Sequence, residues 1–245
     1  MRNYKLVISY DGTGYKGWQR LATEECTIQH KLEEAISGVL GYSVTVDGSG
    51  RTDSGVHANG QVANVKVAGK LDTESFRQSI NEKLPDDICV REISLEKNTF
   101  HSRYSAKGKQ YIYTIDTREK PDVFQRKFTY HFPEMLDVNN MKLAAQSLIG
   151  TYDYSAFCDK KEEKSGVRTI HGINILKEDN LIYIEYYGTG FLNHMVRILT
   201  GTLLEVGSGQ KEISDVKKAL ESKKRADAGY TAPARGLRLE QVYYN

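Results

Sequence analysis

Apolar and polar residues alternate from Tyr4 to Tyr10, the two-residue period of a strand with one buried face. The period then changes. Ile28, Leu32, Ile36 and Leu40 recur at the four-residue step of a helix over Thr27 to Leu40, with Thr27 placed to cap it. Valine-rich stretches at Ser43 to Gly48 and Gln61 to Val67 read as short strands. Asp72 can cap a second helix whose Phe76, Ile80 and Leu84 share a face and which Pro85 ends, and Ile88 to Leu95 is again strand-like. The order is βαββαβ.

The pattern repeats in kind beyond residue 98. A strand is predicted at Lys109 to Asp116, then a helix at Asp137 to Leu148 with Val138, Met141, Ala145 and Leu148 on one side and Gly150 past its end. Val167 to Leu176 and Leu181 to Tyr187 form a hairpin around Glu178, Asp179 and Asn180. A helix at Phe191 to Val206, a short helix after Ser214 and a closing strand at Leu237 to Tyr243 complete a second βαββαβ with one added helix. The predicted class is therefore α+β: two ferredoxin-like halves, residues 1–98 and 99–245, with mainly antiparallel sheets that join and helices packed on them. No residue-level repeat accompanies the duplication. Residues 117–133, mixed basic and aromatic, fit neither half and read as an insertion or linker.

Composition narrows the function classes. With 39% hydrophobic and 27% charged residues of both signs, the chain is globular throughout. A formal charge of only +2 means that any nucleic-acid surface must be a local patch. The start of the chain carries neither a secretory signal nor a membrane span, and no apolar run reaches membrane length. Cys26, Cys89 and Cys158 are an odd, widely spaced set without a C-x-x-C pair, which argues against disulfides or a zinc site and places the protein in a reducing cytoplasm. The six histidines are scattered, so neither a structural nor a catalytic metal is expected, and no organic cofactor motif is present.

The most unusual segment runs from Gly48 to Ala58, Gly-Ser-Gly-Arg-Thr-Asp-Ser-Gly-Val-His-Ala, between two predicted strands. It lacks the lysine-serine pair of a phosphate-binding P-loop and the glycine spacing of a dinucleotide fingerprint. On glycine content alone it is a long turn with Asp53 as a turn former.

This loop resembles the G-R-T-D-A-G-V-H-A signature of TruA-type tRNA pseudouridine synthases, differing at Ser54. Further segments similar to that family follow in its order: Tyr10-Asp-Gly-Thr-Gly-Tyr-Lys-Gly-Trp-Gln19, Phe100-His-Ser-Arg-Tyr-Ser-Ala106, Arg168-Thr-Ile170, Gly190-Phe-Leu-Asn-His-Met-Val-Arg197 and Gly236-Leu-Arg-Leu239. They span nearly the whole chain. The resemblance implies the pseudouridine synthase fold with an active-site cleft between the halves, isomerisation of uridine to pseudouridine, a tRNA substrate, a homodimer and no membrane.

It also implies roles for particular residues. Asp53 matches the aspartate on which the reaction depends. The chemistry breaks N1–C1′, turns the uracil and rejoins it through C5, and a carboxylate can serve it by attack at C1′, addition at C6 or removal of the C2′ proton. Arg197 matches the active-site arginine and is the expected cationic partner of Asp53; a lone arginine on an amphipathic helix would otherwise read as solvated. Tyr111 matches a tyrosine that stacks on uracil and has a hydroxyl able to assist proton removal from C5, whereas Tyr113 is expected to pack in the sheet. Arg51 is assigned to base flipping and phosphate contact, because the target uridine must leave its stack. Lys109, Arg168 and Leu237 complete the RNA-binding set. His57, a tempting base, is expected to structure the loop, and Gly50 and Gly55 to supply backbone freedom.

A chain of this kind resembles the enzymes that modify uridines 38, 39 and 40 of the anticodon stem. Its basic cleft is expected to draw on Lys107, Lys109, Arg126, Lys127, Lys160, Lys161, Lys164 and Arg168, although Glu162 and Glu163 interrupt the run. Gln110 stands where the family often has arginine and weakens the local patch. The competing readings are a synthase for another uridine or RNA and, below it, a non-catalytic RNA-binding protein, against which the missing RNP-type signature argues.

Overall fold

The computed structural model describes residues 1–23, 25–159 and 165–244. The chain forms two compact units, Met1–Lys107 with Arg238–Asn245, and Gly108–Leu237. Sequence patterning suggests a division at residue 98, but Lys107 still donates its N–H to Tyr243 O at 2.8 Å, tying the stretch before it to the first unit.

The first unit runs β1 (Arg2–Tyr10), α1 (Ile28–Leu40), β2 (Val46–Gly48), β3 (His57–Val67), α2 (Thr73–Asn81) and β4 (Ile88–Glu96). β1 lies antiparallel between β3 and β4, and β2 is antiparallel to β3, giving the ferredoxin-like order β4-β1-β3-β2. Alternation in β1 turns Tyr4, Leu6, Ile8 and Tyr10 into the core. α1 begins where Thr27 Oγ1 accepts from the His30 N–H at 3.3 Å, and ends at Gly41, whose φ of 76° only glycine adopts cheaply. It buries Ile28, Leu32 and Ile36 completely, each contributing about 1.5–3 kcal/mol. Asp72 caps α2 by accepting from the Ser75 N–H at 2.9 Å. That helix stops at Asn81, short of Leu84.

The second unit contains β5 (Gly108–Asp116), β6 (Tyr130–His131), α3 (Val138–Gln146), β7 (Gly150–Asp153), β8 (Val167–Glu178), β9 (Leu181–Gly188), α4 (Met195–Gly207) and α5 (Ile213–Ser222). Its strands follow the antiparallel order β5-β9-β8-β7, with β6 parallel to β5. Two of these strands go beyond the sequence reading. β7 is short and opens on Gly150, with φ at 140°. β6 lies inside residues 117–133, which fold around the fully buried Asp116 carboxylate: it accepts from the N–H groups of Arg118 (3.1 Å) and Asp122 (3.2 Å). α4 begins at Met195 instead of Phe191, because His194 takes a left-handed φ of 59° that interrupts the helix before it.

The final strand, β10 (Leu237–Tyr243), runs parallel to β3, with Arg238 opposite His57 and Leu239 opposite Ala58. Asn59 Nδ2 donates to Glu240 Oε1 at 2.8 Å, and Tyr244 OH to Ser102 O at 2.6 Å. The closing strand thus bonds to the first unit as well as ending the second half of the sequence pattern.

Candidate active site

The loop between β2 and β3 is held at almost every residue. Ser49 donates its N–H to Val62 O (2.7 Å) and its hydroxyl to Gln61 Oε1 (2.7 Å), while Gln61 Nε2 donates to Gly50 O (3.1 Å). Thr52 O accepts from the Trp18 N–H at 3.1 Å, and Thr52 Oγ1 lies 2.8 Å from Tyr10 OH. Past Asp53, the Ser54 hydroxyl and the Gly55 N–H both donate to Tyr15 O, at 3.0 and 3.3 Å, and the Val56 N–H donates to Asp53 O at 3.1 Å. Asp53 is thereby set, half-buried, on a main chain with little freedom to shift.

The brace comes from residues 10–18, where glycines allow backbone to touch backbone. A Cβ on Gly12 would lie 2.1 Å from Val56 O, and one on Gly17, at φ +94°, 2.6 Å from Thr52 O. Neither contact tolerates a side chain. Tyr10 is fully buried, and burial pushes its phenol up to about 12 despite the hydrogen bonds to Thr52 and Gln61, so it stays neutral. Burial, and then the hydrogen bond to Asp87, likewise raise Tyr15. His57 is 3% exposed and its Nδ1 accepts the Gly12 N–H at 3.0 Å, with Asp11 Oδ1 at 3.2 Å. Its ring fastens the loop to the brace.

Arg51 is exposed beside Asp53, its Nε donating to Gln19 Oε1 at 3.0 Å. The first unit therefore brings together a fixed carboxylate able to act as nucleophile or base and a guanidinium able to meet phosphate or a base face.

In the second unit, Lys109 and Tyr111 are two apart on β5 and so share a face. The Tyr111 ring, 8% exposed, meets Phe191 edge-on at 5.3 Å. Tyr113, a further two positions on and so on the same face of β5, is fully buried and donates its hydroxyl to Pro233 O at 2.8 Å. Burial raises its pKa well above the ordinary tyrosine value, with the nearby charges of Tyr130 and Tyr230 adding to this and that of Arg197 opposing it.

Arg197 is half-buried on α4, a helix otherwise enclosed on nearly all sides. Its Nε donates to Ala232 O at 2.7 Å and its own carbonyl accepts the Ala232 N–H at 3.1 Å. Arg168, on β8, directs Nη1 to the carbonyls of Ser165 (2.9 Å) and Val167 (2.7 Å). Leu237 is buried at the start of β10. Lys107, Arg126 and Lys127 are exposed, and Lys160, Lys161 and Lys164 lie outside the described residues. Among the described residues no cluster of His, Cys, Asp or Glu is arranged to hold a metal, and no helix is long and apolar enough to cross a membrane.

The sequence reading gave no separate role to Tyr10, Tyr15, Trp18 or Gln61, nor to Asp159 and Arg225. The spacing of Gly12, Gly14 and Gly17 was the available signal for the first group. The second group carries no local pattern.

A family model described as tRNA pseudouridine synthase matches residues 6–105 and 144–245. Proteins named tRNA pseudouridine synthase A from Clostridium kluyveri, Bacillus sp. (strain KSM-64) and Acetivibrio thermocellus are 48%, 46% and 44% identical to this chain over 245 residues, covering 100% of each partner.

Proposed function

Because the chain belongs to the tRNA pseudouridine synthase family, we propose that it isomerises uridines 38, 39 and 40 of the tRNA anticodon stem, with Asp53 as the essential carboxylate. The observation that carries this reading is the fixed loop. A carboxylate that must meet one atom of an extruded nucleotide gains most from a main chain that does not yield, and Asp53 is flanked on both sides by residues bonded to the brace. Arg51, exposed at the next-but-one position, offsets the cost of unstacking the uridine, about a few kcal/mol, by contacting phosphate or filling the space left in the stack.

Tyr111 stacks on the detached uracil and Arg197 supplies positive charge to the reaction. Lys109, Arg168 and Leu237 contact the RNA. The isomerisation moves no electrons or groups to a carrier, so neither metal nor organic cofactor is required. The enzyme works as a cytoplasmic homodimer, which doubles a basic surface that a net charge of +2 would otherwise leave modest.

The test is Asp53→Asn. We expect tritium release from C5-labelled uridine in tRNA to be abolished while tRNA affinity stays within about tenfold, because the change removes nucleophile or base character and little contact area. Circular dichroism must show the parent fold. Retained turnover would overturn the assignment, and tRNA from cells lacking the protein that keeps its pseudouridines at 38–40 would overturn the substrate.

A further inference from the structure

We propose that Asp159 is a positioning residue for the reaction: it clamps both the start of α4 and the segment that holds the Arg197 guanidinium. This rests on the role given to Arg197 above. The Asp159 carboxylate is the meeting point of three segments of the second unit. Oδ2 lies 2.7 Å from His194 Nδ1 and accepts the Thr231 hydroxyl at 3.1 Å; Oδ1 accepts Arg225 Nε at 2.7 Å. Arg225 spreads its remaining donors over the same segment, Nη1 to Gly229 O at 2.8 Å and Nη2 to Thr231 Oγ1 at 3.0 Å.

Each partner has a direct line to Arg197. His194 is the N-cap residue of α4, three positions before Arg197 and held in a left-handed conformation, so the carboxylate fixes where the helix begins. Thr231 precedes Ala232, which exchanges hydrogen bonds with Arg197 in both directions. Residues 229–232 in turn lie on the helix itself. The Gly229 N–H donates to Thr202 Oγ1 at 2.8 Å, the Tyr230 N–H to Glu205 Oε1 at 3.2 Å, and a Cβ on Gly201 would stand 1.9 Å from Tyr230 O. Arg197, Gly201 and Glu205 follow at four-residue steps, one face of α4. One carboxylate therefore ties down the helix bearing Arg197 and the segment at residues 229–232 whose carbonyl orients its Nε.

Loosening this clamp should misplace a planar fork whose value lies in its geometry. Displacement on the order of 1 Å far from the chemistry can cost about 10²-fold in rate. For Asp159→Asn we expect single-turnover rates about 10- to 100-fold lower, with tRNA affinity within about twofold of the parent. Thr231→Val, which spares the Asp159–Arg225 pair, should cost a smaller factor of the same kind and guards against a folding defect in the first variant.

The decisive measurement is the cycle with Arg197→Lys. If Asp159 acts through Arg197, Asp159→Asn should lower the rate less than about twofold in the Arg197→Lys background. Equal fold losses in both backgrounds, or parent rates for Asp159→Asn, would overturn the proposal. Parent rates for Arg197→Lys would remove Arg197 from the reaction, and the inference with it. Normal Asp159→Asn beside an impaired Arg197→Lys would leave the reading of Arg197 standing and sink only the clamp.

Discussion

Replacing Gly17 by alanine tests the proposal that the Asp53 loop serves catalysis because its backbone is immobilised. At φ +94° an L-residue is strained, which costs on the order of 1–3 kcal/mol. The new Cβ would also sit 2.6 Å from Thr52 O and 3.1 Å from Asp53 C, where ordinary contact begins at 3.4 Å, so the peptide carrying Asp53 must retreat by up to about 0.8 Å. A shift of that size lowers the rate about 10- to 100-fold. Strain and crowding together cost about 2–4 kcal/mol, which for a chain of this length lowers the melting temperature by roughly 5–15 °C. Gly14→Ala is the control within the same segment, since a Cβ there meets nothing within 4 Å. It should change stability by less than about 0.5 kcal/mol and the rate by less than about twofold. The assay is single-turnover tritium release at saturating enzyme, with thermal melts of all three proteins. A Gly17→Ala protein that melts early yet turns over at the parent rate would refute the reasoning.

Burial of the Asp159 carboxyl would raise its pKa, but hydrogen bonds from His194, Arg225 and Thr231 and the charge of Arg225 prevail and hold it at about 2, below the ordinary 3.8. A depressed folded pKa gives stability that is complete above the unfolded value and lost as pH falls through the folded one. The melting-temperature gap between parent and Asp159→Asn should accordingly be full at pH 5 and close between about pH 4 and pH 2; a gap constant over that range would contradict the pairing. EDTA should leave turnover unchanged on tRNA kept folded in monovalent salt, and a strict requirement for added metal under those conditions would refute the cofactor-free mechanism.

Features fixed by neighbours in the chain were legible, and those fixed by distant partners were not. Thr27 and Asp72 cap their helices as the sequence suggests, because an N-cap bond spans only three residues. The alternation in β1 and the hairpin of β8 and β9 read directly from period two. α4 defied its apparent start because the φ of His194 belongs to a tertiary arrangement that includes Asp159. β6 pairs through only Tyr130 and His131, too short to show a period. At the site, Asp53 stood out by resemblance, but nothing in residues 10–18 announced that Gly12 and Gly17 were shaped by Val56 and Thr52, about forty positions away. Glycine content marks a need for space without naming the occupant.

The bond between Asn59 and Glu240 joins positions 181 apart, and has consequences for how the protein is born. A ribosome working at roughly 5–20 residues per second needs on the order of ten seconds to make residues 108–237 after β3 has emerged. During that interval β2 covers β3 only near Val65, Asn64 and Ala63, while the stretch at His57 and Ala58 waits for β10. The nascent chain thus carries an unpaired strand edge next to the Asp53 loop, a surface open to wrong pairing until translation delivers Arg238 and Leu239. A stalled chain lacking β10 keeps the loop's bonds to the brace and to Val62 and Gln61 of β3, but leaves the β3 edge at His57 and Ala58 uncovered.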